Sequence, residues 1–151
     1  MSKALVVYDS MFGNTEKIAK ALAKGLEDAG VNVDCVKVEA VKFDELSGYD
    51  LLAVGGPVHA WSTSKPMKTF LEHLKNVKGL GGKKAFSFDT KMSRNWLSGN
   101  AGGKIEGELK RLGMTIIKPH ATAVVKGREG PLEDGAEETF KRLGEEFAKT
   151  M

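Results

Sequence analysis

Ser10, Asn14 and Thr15 gather around Gly13 in the segment DSMFGNT, residues 9–15. Two hydroxyls, an amide and a glycine make a short stretch rich in hydrogen-bond donors, with no basic side chain between 10 and 15. The apolar run ALVVY (4–8) precedes it and the helical run EKIAKALAKGLEDAG (16–30) follows it, so the segment stands where a strand turns into a helix. The first turn of a helix has unpaired N–H groups and the positive end of the helix dipole, a combination that suits a phosphate. Gly13 lets the backbone approach such a ligand closely. Hydrogen bonds to a charged group contribute roughly 1.5–3 kcal/mol each, so a few of them outweigh the dipole, which contributes up to about 2 kcal/mol. An ordinary N-cap uses the same residue types, and on this loop alone both readings stand.

The elements that must position the loop follow from the hydrophobic pattern. ALVVY and DLLAVGG (50–56) are apolar on both faces, as buried parallel strands are. VNVDCVKV (31–38) alternates and predicts a strand with one wetter face, nearer an edge. KKAFSFDT (83–90) is a fourth strand, and TIIKPHATAVVKG (115–127) a fifth, with Pro119 marking an edge or an irregular start. Between them lie helices built on Ile18, Leu22 and Leu26, then on Met67, Phe70, Leu71 and Leu74, then on Ile105, Leu109 and Leu112, and last on Phe140, Leu143 and Phe147. Pro66 suits the first turn of the second helix, Gly30 and Gly113 end the first and third, and the connector around Phe43–Leu46 has room for a short helical turn. The alternation predicts one α/β domain over 1–151: a five-stranded parallel sheet in order 2-1-3-4-5 with helices on both faces. Ligands of such sheets bind beyond the carboxyl ends of the strands at the switch point. Here that rim consists of loops 9–15, 56–65 and 89–99, with 126–132 further along the edge.

The segment VVYDSMFGNTEKIAKAL (6–22) resembles the phosphate-loop signature of the flavodoxin family. The apolar pair at 6 and 7, the aromatic Tyr8, the hydroxyl of Ser10, the small Gly13, Thr15, Ala19 and the apolar Leu22 each fill a place in it. The predicted element order agrees along essentially the whole chain. The resemblance implies a flavodoxin-like three-layer sandwich that binds FMN. Its phosphate would be held by Ser10, by the N–H groups of Met11, Phe12 and Gly13, and by Asn14 and Thr15.

The same resemblance assigns the flavin ring to the loops after the third and fourth strands. In GGPVHAWSTSKPM (55–67), Pro57, Val58 and Ala60 border the slot, and His59 and Trp61 each offer a cover for a ring face. In DTKMSRNWLSGN (89–100), Asp89, Thr90 and Lys91 stand where the pyrimidine edge would lie, and Trp96 offers a cover for the second face. The ring presents on the order of 200 Å² of apolar contact, about 5 kcal/mol gross. A Lys91 charge near the ring's N1–O2 edge would favour the reduced anion. Many flavodoxins have a Gly where this chain has Ala60, and GPVHAWS is as similar to the corresponding loop of flavodoxin-like oxidoreductases.

Composition narrows the rest. The 151 residues are 41% hydrophobic and 28% charged, with 23 basic and 20 acidic residues interspersed, for a formal charge of +3. That balance gives no footprint for nucleic acid. No apolar stretch approaches the roughly 18 residues of a membrane span. The lone Cys35 fits a reducing compartment, so the expected location is cytoplasmic. No His, Cys and carboxylate residues have metal-site spacing, and His73 and His120 fall on predicted surface or groove positions. SGNAGGKI (98–105) lacks the first Gly and the Ser/Thr of a P-loop. Gly55, Gly56 and Pro57 occupy the place where a phosphorelay receiver needs its acceptor Asp, and no G-x-S-x-G elbow exists. The expectation is an FMN protein, a monomer or weak dimer, that shuttles electrons between a reductase and an acceptor protein. The alternatives are an FMN-dependent oxidoreductase such as an NAD(P)H:quinone reductase, and a flavin-free binding or regulatory module on the same fold.

Overall fold

Strand β1 (Lys3–Tyr8) shows how the layers form. Ala4, Val6 and Tyr8 point into one core, and Leu5 and Val7 into another, so an unbroken apolar run must be covered on both faces. Strand β3 (Leu51–Pro57) divides the same way, with Leu51 and Ala53 on the first side and Leu52 and Val54 on the second. The computed structural model describes residues 2–59, 62–92 and 99–151. Ala60, Trp61 and Trp96 therefore lie outside the described residues.

The sheet is parallel. Strand β2 (Asn32–Lys37) lies at one edge beside β1, with Val6 opposite Cys35, and β1 lies beside β3, with Val6 opposite Ala53. Strand β4 (Lys84–Lys91) follows β3, with Gly55 opposite Phe88. The order 2-1-3-4-5 is the one predicted. The fifth strand is two pieces, β5 (Thr115–Ile116) and β6 (Ala121–Val124), both paired with β4. The break falls around Pro119, which has no N–H to give, and the N–H of His120 turns instead to Glu106 Oε1 at 2.9 Å.

Helices α1 (Asn14–Asp28) and α4 (Ala136–Ala148) cover the first face, and α2 (Lys65–Leu74) and α3 (Ala101–Arg111) the second. Ile18, Leu22 and Leu26 are fully buried, as their spacing of four requires. α1 and α4 cross at Gly25 and Gly144: a Cβ on Gly25 would lie 1.9 Å from the Lys141 carbonyl oxygen. The β2–β3 connection holds 3-10 turns at Val38–Ala40 and Phe43–Gly48 in place of a full helix. Val38 and Leu46 anchor it, and the Phe43 ring stacks on His73 at 3.8 Å. Ser64 caps α2 by accepting from the Met67 N–H, with Pro66 in the first turn.

Candidate functional site

At the carboxyl end of β1 the chain passes through residues 9–13 and enters α1. Gly13 is the N-cap, with φ 89°, a conformation that costs most other residues strain. Its own N–H donates to Ser10 Oγ at 3.0 Å, which tightens the loop and leaves the Ser10 hydroxyl proton to point elsewhere. Among the described residues, no acceptor meets the N–H groups of Met11, Phe12, Asn14 or Thr15. The loop's one carboxylate is turned away, since Asp9 accepts from the Ser64 hydroxyl at the start of α2.

A cleft of about 480 Å³ opens over this loop. That size is ordinary for a cofactor site, typically about 300–1,000 Å³. Ser10, Met11, Phe12, Asn14 and Thr15 line one side, Pro57, Val58 and His59 a second, and Thr90 and Lys91 a third. These ten residues, drawn from three loops, were named from sequence, and the fold brings them to one place. Thr15 and Thr90 join α1 to β4 through a hydroxyl–hydroxyl bond of 2.8 Å. Such a pair consumes one proton and keeps one free, whichever oxygen donates. Lys91 Nζ is steadied by the Gly99 carbonyl at 2.7 Å. Val58 is fixed by its N–H to the Thr90 carbonyl at 3.0 Å, and His59 exchanges backbone bonds with Ser62.

Two predicted site residues do not line the cleft. Gly13 shapes the turn from below. Asp89 is fully buried toward α3, where one oxygen accepts the Gly102 N–H at 2.9 Å and the other the Thr122 hydroxyl at 2.6 Å. Three lining residues were not named from sequence: Met92, Val125 and Arg128. The loop carrying Arg128 belongs to the rim that the sequence predicts. What the sequence did not show is that Asn14 Nδ2 donates to the Glu129 carbonyl at 3.2 Å and draws this loop against the first one.

The described lining contains two cations, Lys91 and Arg128, and no carboxylate. A helix N-terminus with free N–H groups, two hydroxyl residues and a cationic border is a receptor for an anionic group. The apolar walls beside it suit a flat ring. Among the described residues, no cluster of His, Cys, Asp and Glu could hold a metal, and no helix is long and apolar enough to cross a membrane.

Comparison with known proteins agrees with this geometry. The family model described as Flavodoxin matches residues 6–142. The chain belongs to the flavodoxin family. It is 31% identical to a flavodoxin of Aquifex aeolicus, over 99% of this chain and 86% of that one. It is 26% identical to an NAD(P)H dehydrogenase (quinone) of Cupriavidus metallidurans, over 99% of this chain and 97% of that one. A solved flavodoxin from the domain Archaea superposes with a TM-score of 0.82 at 28% identity, covering 98% and 97% of the two chains. FMN is the cofactor of this family, and electron transfer is its work. The donor set, the absence of lining carboxylates among the described residues and the cleft volume all fit that cofactor.

Proposed function

We propose that this chain holds FMN in the cleft and passes electrons between protein partners in the cytoplasm, as a single domain. The observation that carries the proposal is the set of N–H groups at and just before the start of α1 that have no partner among the described residues, in a loop lining a cleft whose described lining has no carboxylate. Bound FMN supplies the electron-accepting and electron-donating ring. The chain does the rest. Ser10, Thr15 and the N–H groups of Met11, Phe12, Asn14 and Thr15 hold the phosphate. Pro57 and Val58 wall the ring, while Thr90 and Lys91 face its polar edge. Met11, Phe12 and Met92 are 55%, 42% and 60% exposed, the three exposed large hydrophobics among the described residues, and all three stand at this cleft. They give a protein partner an apolar landing next to the cofactor.

The double substitution Ser10→Ala, Thr15→Ala tests the binding mode. FMN affinity should fall by tenfold or more, and riboflavin, which has no phosphate, should change by less than threefold, about one to two charge-assisted hydrogen bonds' worth of difference. Equal loss for both flavins would contradict it. A second reading, an NAD(P)H-dependent quinone reductase, is favoured by the Cupriavidus relative. Steady turnover of NAD(P)H with a quinone by the purified FMN-loaded protein would select that reading over the shuttle.

A further inference from the structure

Arg128 is the one lining cation with neither a carboxylate nor a backbone oxygen bonded to it among the described residues. It sits at the tip of a turn braced on both sides. Lys126 N–H donates to the Pro131 carbonyl at 2.8 Å, and Gly130 N–H to the Gly127 carbonyl at 3.1 Å. The turn is pinned to the phosphate loop through the bond from Asn14 to Glu129. It lies so close that a Cβ on Gly130 would come within 2.8 Å of Asn14 Oδ1. From there the Arg128 guanidinium reaches over the Phe12 ring, 6.0 Å from its centroid. Its neighbour Lys126 differs: its ammonium lies 3.7 Å from the Asp134 carboxylate, and it is not part of the cleft.

A phosphate monoester carries about 1.5 to 2 negative charges at neutral pH. Backbone N–H groups and hydroxyls give it hydrogen bonds but no full countercharge. A guanidinium gives both, in a fork that matches two phosphate oxygens. Resting on the FMN reading above, we infer that Arg128 is the countercharge for the FMN phosphate, and that it sets the preference for FMN over unphosphorylated riboflavin. Phe12 and the Asn14–Glu129 bond then act as its supports, holding the planar head beside the N-terminus of α1.

The test is a titration of apoprotein with FMN and with riboflavin, at low and at moderate ionic strength, for wild type, Arg128→Ala, Arg128→Lys and Lys126→Ala. The expected result is a loss of about tenfold to a hundredfold in FMN affinity for Arg128→Ala, with riboflavin held within about twofold. Arg128→Lys should recover part of the loss, Lys126→Ala should stay within about threefold, and the salt dependence of FMN binding should flatten in Arg128→Ala. Arg128 is exposed, so these variants should fold. Unchanged FMN affinity in Arg128→Ala, an equal loss for both flavins, or an equal loss in Lys126→Ala would overturn the inference while leaving FMN binding intact. Wild-type protein that binds neither flavin would overturn both.

Discussion

Asp89 and Thr90 are neighbours on β4 with opposite fates. Thr90 faces α1 and shares a proton with Thr15 in the cleft, whereas Asp89 faces α3, with both oxygens bonded and no exposure. The sequence placed both beside the flavin, because a strand buried on both faces gives no alternation from which to choose the side. Phe86 and Phe88 pack in the core shared with α1 and α4, and that settles the parity only once the helices are in place. The role of Asp89 is therefore structural. Asp89→Ala leaves the Gly102 N–H and the Thr122 hydroxyl without their acceptor. It should destabilise the protein by about 1–3 kcal/mol in denaturant unfolding. Affinity for FMN and for riboflavin should both stay near the wild-type values in the refolded variant, and a loss shared by both flavins would place Asp89 at the pyrimidine edge after all. The phosphate-loop residues were legible for the opposite reason: their function lies in a local strand-to-helix turn, which one contiguous segment encodes. Loop 126–132 was legible as part of the rim but the place of Arg128 in the cleft was not, because the bond that draws the loop in, between Asn14 and Glu129, spans more than a hundred residues.

At the scale of elements, the alternation of strands and helices was written plainly in the apolar runs, and the sheet order followed from it. The broken fifth strand was half-written, since Pro119 announced the irregularity but not the separation into Thr115–Ile116 and Ala121–Val124. The crossing of α1 and α4 was not written at all. Gly25 and Gly144 look like poor helix residues in isolation, and only the pairing of the two helices shows that backbone meets backbone there. A Cβ on Gly144 would stand 2.3 Å from the Leu22 carbonyl oxygen and 2.7 Å from the Leu26 nitrogen. Two opposed effects meet in Gly144→Ala. Alanine gains up to about 1 kcal/mol of helix propensity, while forcing the helices apart costs about 1–3 kcal/mol or more. Backbone cannot yield as a side-chain tip can, so the clash should win. The denaturation midpoint should fall, and a rise would show that the helices separate without loss.

For the whole molecule, the pH profile of stability and the binding of the cofactor are the properties to measure. Burial, followed by the hydrogen bond to the Asp34 carboxylate at 2.6 Å, pushes the Tyr49 phenol from its ordinary 10.0 up to about 12. Burial also pushes the Cys35 thiol from 9.0 up to about 11. Both groups hold their protons more tightly folded than unfolded. Their stabilisation is complete below the unfolded values and is lost as pH rises through the folded ones, a window of roughly pH 9 to 12. Stability should therefore decline across that window, and Tyr49→Phe should flatten the decline above about pH 10. An unchanged slope in Tyr49→Phe would remove Tyr49 from the explanation. The raised thiol also makes Cys35 a slow nucleophile at neutral pH, consistent with packing against the core rather than chemistry.

The cleft above DSMFGNT is expected to hold FMN by its phosphate. The most direct measurement is the visible absorption spectrum of the purified protein after incubation with excess FMN and gel filtration, with riboflavin run in parallel. Flavin absorption should stay with the protein after FMN and be largely lost after riboflavin. Protein that emerges colourless from both, with its fold intact by circular dichroism, would mean that Gly13, Asn14 and Thr15 only turn and cap a helix.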